Sequence, residues 1–273
     1  LILIAMKLKN IITIISAASL LWSCVTDSGN ENVDDFDITE LLANTADQII
    51  LPQFEDLKES TVELESAYSD FESSATSENL RVLQNKFNES YISWQACSFV
   101  NYGNTTLMTL SNTLNTYPTD VDKINSTFET SEVFDLKSAE YAKTIGFPGL
   151  DYILFEGTEN EIIERVSAKA IEYCSKNVDL IKTKSESAYA YWKNNTDNFY
   201  AEFKTSTSKS DGSPFSFFIN GFVKNVEVLK NGQLGFPAGK FTLNQPKPDQ
   251  SEALYSGESV TLFKAHLSNL KRI

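Results

Sequence analysis

From Ile38 to Phe71 the apolar residues fall three or four positions apart: Ile38, Leu41, Leu42 and Ile49, then Leu57, Leu64, Tyr68 and Phe71. That spacing is one face of a helix. Pro52 lies inside the run, but the period resumes beyond it, which predicts a kinked helix rather than two separate ones. Ser77 followed by Leu80, Leu83, Phe87, Tyr91 and Trp94 predicts a second helix, capped by the serine and reaching about Val100. No period is sustained between 101 and 135, so short helices and loops are expected there. A longer stripe follows Thr158 through Ile163, Val166, Ala170, Cys174, Val178, Ile181, Ala188 and Trp192. Ser213-Pro214 opens another helix, expected to run to Asn231-Gly232. Pro237, Pro246 and Pro248 mark residues 232 to 249 as a long loop. Val260, Phe263, Leu267 and Leu270 give a last stripe over 258 to 271. Alternating strand patterns are scarce, so the expected class is all-α with bundle packing.

The first 23 residues have a different pattern. They hold no acid, two lysines (Lys7, Lys9) and an apolar stretch from Ile11 to Trp22, the arrangement of a secretory signal. The stretch ends Leu21-Trp22-Ser23-Cys24, similar to a bacterial lipobox, which makes Cys24 the expected lipidation site. A spanning anchor is disfavoured, because the run is shorter than the ~20 residues a bilayer requires. Residues 24 to 37 are polar and acidic and read as a flexible tether. The expected attachment is therefore to the membrane through an N-terminal lipid, on the outer membrane since Val25 is not the retention aspartate, with either the periplasmic or the surface face open.

Charge and composition narrow the function. Thirty-seven acidic residues against 23 basic ones give a net charge of −14, which repels a phosphate backbone and excludes nucleic acid as a main partner. The chain has one histidine, His266, leaving little material for a Ser-His-Asp triad and none for an HExxH helix or a three-histidine metal site. Eleven glycines and seven prolines in 273 residues are few, in keeping with long helices and few turns.

Two glycines and a proline punctuate the apolar run Gly146-Phe147-Pro148-Gly149-Leu150-Asp151-Tyr152-Ile153-Leu154-Phe155-Glu156-Gly157, which predicts a broken helix with exposed backbone at the break. This stretch resembles the Gly-x-His-x-x-Glu signature of the imelysin-like family and the Leu-Leu-Trp-Gly-like run that follows it. Gly146 takes the glycine position, Pro148 the histidine position and Asp151 the glutamate position. Three further islands match the family in order: Ser93-Trp94 with 99 to 103, Tyr117-Pro118-Thr119-Asp120, and 230 to 239 with Glu252-Ala253-Leu254-Tyr255-Ser256 and 259 to 270.

The resemblance implies two packed helical bundles, here 38 to 157 and 158 to 273, with the signature at their junction. Family members continue past the last matched element, so the second bundle is expected to be truncated. They are envelope proteins linked to iron uptake, and one branch is classed as metallopeptidases. Iron or another divalent metal is thus the cofactor the resemblance implies. Against it, Pro148 offers no side-chain donor and Asp151 is one methylene shorter than glutamate. The favoured reading is a non-catalytic binding protein tied to iron or haem uptake, with Asp151, Asp120, Gly146 and Trp94 as candidate ligand contacts. An imelysin-type metallopeptidase holding metal through Asp151 is the alternative, and a surface scaffold for another envelope protein is the second.

Other residues carry plainer readings. Tyr91, Trp94, Phe99 and Tyr102 at helical spacing read first as core. Cys97 and Cys174 read as buried thiols, although an oxidising envelope permits a bridge. His266 reads as an incidental residue, exposed or half-buried, in the terminal helix.

Overall fold

The structure, a computed structural model, describes residues 36 to 129 and 134 to 273. The signal, Cys24 and most of the acidic tether lie outside the described residues. Residues 38 to 273 form one compact unit. Among the described residues every regular element is helical. Among the described residues no helix is long and apolar enough to cross a membrane.

α1 (Ile38–Thr45) runs without interruption through a π-helical turn, Ala46–Ile50, into α2 (Leu51–Ser73). Pro52 sits in the first turn of α2, immediately after a π turn whose last bond joins the Leu51 N–H to the Ala46 carbonyl. The extra residue shifts the buried stripe, which passes through Ala46, Ile50, Phe54 and Leu57 while Ile49 is only half-buried. α3 (Ser77–Cys97) is capped by Thr76, whose hydroxyl accepts from the Asn79 N–H at 3.2 Å; the expected cap, Ser77, bonds Glu159 instead. Its stripe of Leu80, Leu83, Phe87, Tyr91 and Trp94 is buried as the spacing predicts, each side chain contributing about 1.5–3 kcal/mol. α4 (Thr105–Leu114) and α5 (Val121–Glu129) occupy the stretch that lacked a period.

α6 (Phe147–Phe155) and α7 (Glu159–Glu164) follow. α7 opens on a capping box in which the Thr158 N–H donates to Glu161 Oε2 at 2.8 Å. A second π turn, Arg165–Lys169, leads into α8 (Ile171–Lys193), so the long predicted helix is one path broken near Ala170. α9 (Phe199–Thr205) has no counterpart in the sequence reading. It is pinned to the first π turn by Lys204, 2.6 Å from Asp47, and by Tyr200 on the same carboxylate. α10 (Pro214–Glu227) begins at Ser213 as expected and continues as a π segment, Val228–Gly235. α11 (Ser259–Leu270) ends the described chain.

α2 lies between α3 and α8, and α11 packs on α3 and on the π segment. The α2–α3 crossing is close enough for the Ser90 hydroxyl to donate to the Ser60 carbonyl at 2.8 Å. α6 fills the space between α3 and α8. Its first turn is tied to α8 by Asn177, which accepts the Gly146 N–H at 2.8 Å and donates to the Gly146 carbonyl. Its last turn meets the Gln84 side chain of α3, which donates to the Leu154 carbonyl at 2.6 Å. The segment is buried almost throughout, so the expected exposed break is instead an intact helix with Pro148 in its first turn.

Candidate functional site

Gly146 has φ +78°, a region that favours glycine, and a side chain there would collide with the Leu114 carbonyl. Gly149 faces the Thr144 carbonyl and the Tyr173 hydroxyl, which are themselves hydrogen-bonded, and leaves no room for a methyl group. These two glycines let α6 sink between its neighbours; Gly146, expected as a ligand contact, is buried against Leu114 and Asn177 and is not among the residues lining the cavity beside Asp151.

That depth delivers Asp151 to a turn contributed by the far end of the chain. Its Oδ2 accepts the Tyr255 N–H at 2.9 Å and its Oδ1 the Ser256 N–H at 3.1 Å. The carboxylate is 2% exposed, and burial raises its pKa despite the pull of the two N–H groups in the other direction. A cavity of about 240 Å³ opens beside it, walled by Tyr117, Pro118, Pro148, Asp249 and Tyr255 among others. Pro148 lines this cavity in the signature's histidine position, presenting only carbon. Asp120 stands outside the wall, exposed, where its carboxylate accepts the Lys123 N–H at 3.0 Å and starts α5.

Trp94 belongs to a second cavity, of about 220 Å³, which it lines together with Tyr117 and a group of amide side chains. Beside that cavity lies a buried polar network. Glu252 accepts from Gln95 Nε2 at 2.6 Å, Asn115 Nδ2 at 2.7 Å and Gln233 Nε2 at 2.5 Å. Burial raises the pKa of this carboxyl, opposed by those amides. His266, expected at the surface or half-buried, is 1% exposed, with Nδ1 3.2 Å from Gln233 Oε1. Burial lowers its pKa to about 4, so the ring is neutral at pH 7.

The sequence reading missed this network because it followed apolar stripes. In α11 the buried side is Leu262, His266, Asn269 and Leu270, whereas Val260 is exposed and Phe263 and Leu267 are half-buried. His266 stands four positions after Leu262 and three before Asn269, a helical period that counts only when polar side chains are included. Glu252 was visible as the first residue of the middle element of the last matched island, without a role.

The fold and site together define an all-α helical protein whose signature segment is held in the interior. The chain matches the imelysin family model over residues 50 to 273 and belongs to that family. Among solved structures it is similar to a putative iron-regulated protein A precursor from Parabacteroides distasonis ATCC 8503, with TM-score 0.72 and 17% identity over 91% of this chain and 76% of that one. It is also similar to an imelysin-like protein from Psychrobacter arcticum 273-4, with TM-score 0.63 and 16% identity over 86% of this chain and 72% of that one. No curated protein is a significant match.

The metal implied by the family signature does not fit the residues present. Pro148 has no donor atom, and both oxygens of Asp151 are engaged by backbone N–H groups. Among the described residues no three His, Cys, Asp or Glu side chains are placed to hold an ion.

Proposed function

We propose that this chain is a lipid-anchored, non-catalytic member of the imelysin family, held in the cell envelope through Cys24 and binding a small iron-linked ligand in the cavity beside Asp151. The observation that carries the non-catalytic reading is the double engagement of Asp151 by Tyr255 and Ser256, next to a proline where the signature has histidine. A carboxylate so used fixes a turn. Among the described residues the cavity wall presents oxygen groups from Tyr117, Asp249 and Tyr255 and no histidine nitrogen, which favours a hard or cationic species. The net charge of −14 draws cations toward the surface. One of the fold relatives is named for iron regulation, which agrees with the iron link.

Metal analysis of the purified protein and its Asp151→Ala variant tests the assignment. The expected result is substoichiometric metal in both proteins, with a rise in melting temperature when a small ferric chelate is added. Stoichiometric metal that disappears on substitution would restore the metallopeptidase reading. For the anchor, detergent-phase partitioning should be lost in Cys24→Ala; partitioning that persists would exclude lipid on this cysteine.

A further inference from the structure

We infer that the second cavity, which shares Tyr117 with the cavity beside Asp151, is a binding site for a small, neutral, polyhydroxylated molecule, a monosaccharide or polyol. This does not rest on the function proposed above, because the two cavities share only Tyr117 among their wall residues.

The donors and acceptors of the cavity can be assigned from the network behind it. Gln233 spends its amide N–H groups on Glu252 at 2.5 Å and on Gln95 Oε1 at 3.2 Å, so its carbonyl oxygen is the atom that faces His266 Nδ1. Nδ1 must therefore donate, and in a neutral imidazole Nε2 is then an acceptor. Ser98 Oγ lies 3.1 Å from the Gln95 carbonyl, 3.3 Å from Asn225 Oδ1 and 3.4 Å from His266 Nε2. A hydroxyl has one proton, so at least two of these three acceptors go without it. Asn225 is held in place by its own N–H group, which donates to the Gly221 carbonyl at 2.9 Å.

On the donor side, Trp94 is 1% exposed and its indole N–H has no partner among the described residues. An unmet buried donor costs about 1–3 kcal/mol, as do unmet acceptors, and a ligand carrying hydroxyl groups can satisfy both kinds at once. The wall combines the rings of Trp94 and Tyr117 with Gln95, Asn101, Asn112 and Asn115, and the one formally charged side chain among its described residues, Lys224, is exposed. Glu252 is not part of the wall; the three amides that bind it stand between its charge and the ligand space. A site of amides, hydroxyls and aromatic rings without an inward charge selects neutral hydroxylated compounds over ions. Its volume, about 220 Å³, lies below the roughly 300 Å³ at which drug-sized pockets begin, so it suits one small molecule.

Titration calorimetry and ligand-observed NMR on the whole chain, with free hexoses, their methyl glycosides and small polyols as probes, provide the test. Hexose 6-phosphates, glutamate and putrescine serve as charged comparators. The expected result is saturable binding of at least one neutral compound and none of the comparators. Trp94→Phe, which keeps a ring and removes the donor, should weaken binding about tenfold, the equivalent of one ordinary hydrogen bond. Ser111→Phe, which fills the cavity from a half-buried position outside the network, should abolish it, with each variant's fold checked by circular dichroism. Free hexose binding marks the site as one for a soluble ligand, and binding of methyl glycosides alone marks it as one for a glycan end; both support the inference. The absence of any neutral ligand at millimolar concentration, binding that only the charged compounds show, or binding unchanged in both variants would overturn it.

Discussion

The Asp151 carboxylate and the Tyr255 N–H, 104 positions apart in sequence, meet at 2.9 Å in the interior. With the Ser256 N–H at 3.1 Å on the other oxygen, this pairing joins α6 to the turn that carries Glu252. Asp151→Ala leaves two half-buried or buried donors without an acceptor, at a cost of about 2–4 kcal/mol in urea unfolding. Asp151→Asn keeps one acceptor and also removes a carboxylate that burial disfavours, so its cost should stay near 1 kcal/mol. An asparagine variant as unstable as the alanine variant would show that the charge, rather than the bonds alone, holds the turn.

Gly149 lies inside a helix, where alanine is ordinarily better by about 1 kcal/mol. Here the methyl group would enter the space of the Thr144 carbonyl and the Tyr173 hydroxyl, both buried. Gly149→Ala is therefore expected to destabilise by about 3 kcal/mol or to prevent folding, since a well-packed core yields little. Gly232→Ala, whose nearest neighbour is the Tyr117 hydroxyl at 3.3 Å, provides the comparison and should change the melting temperature only slightly. Equal tolerance of both would mean that α6 can move away from α8.

Cys97 and Cys174 are both buried free thiols, and burial raises the pKa of each. The thiolate is the reactive form, so a disulfide reagent should leave both unmodified in the native protein at pH 8 and react with both in denaturant. The assay is done on a variant lacking Cys24. Rapid native labelling of either position would place it in a region that opens locally.

Much of the fold was legible because its main helices bury aliphatic and aromatic side chains at a single period. The α3 stripe from Leu80 to Trp94 and the α10 start at Ser213 are both realised. Two kinds of feature were not legible. Register changes at the π turns alter which residues face inward, as Ile50 and Phe54 show in place of Ile49, and a fixed period cannot anticipate them. Buried polar residues were the other, because an apolar template discards Gln95, Asn225 and His266 even though their partners lie on other elements far along the chain. Around the signature, the resemblance located the segment and Asp151. It could not show that the carboxylate binds backbone, since the Tyr255 turn is brought near only by the packing of α11 on α3.

His266 supplies a pH dependence whose direction is fixed by its burial. The ordinary pKa of 6.5 falls to about 4 in the folded protein, so between those values the unfolded chain binds the proton and the native ring does not. Stability should therefore be complete above pH 6.5, decline as the pH falls toward 4, and change no further from this group below that. A shift of this size corresponds to about 3 kcal/mol. Asp151 and Glu252 act in the opposite sense, because their raised pKa values let the native state take up protons before the unfolded chain does. The measured profile of the intact protein is the sum of these, and the histidine contribution is isolated by difference. His266→Gln removes the titrating ring while keeping a polar side chain that can reach Gln233, and its unfolding free energy, subtracted from that of the parent, should slope upward from pH 4 to pH 6.5 and be flat above. A flat difference curve throughout would mean that the ring gains a proton in the native state, and that Gln233 and Ser98 rearrange to receive it.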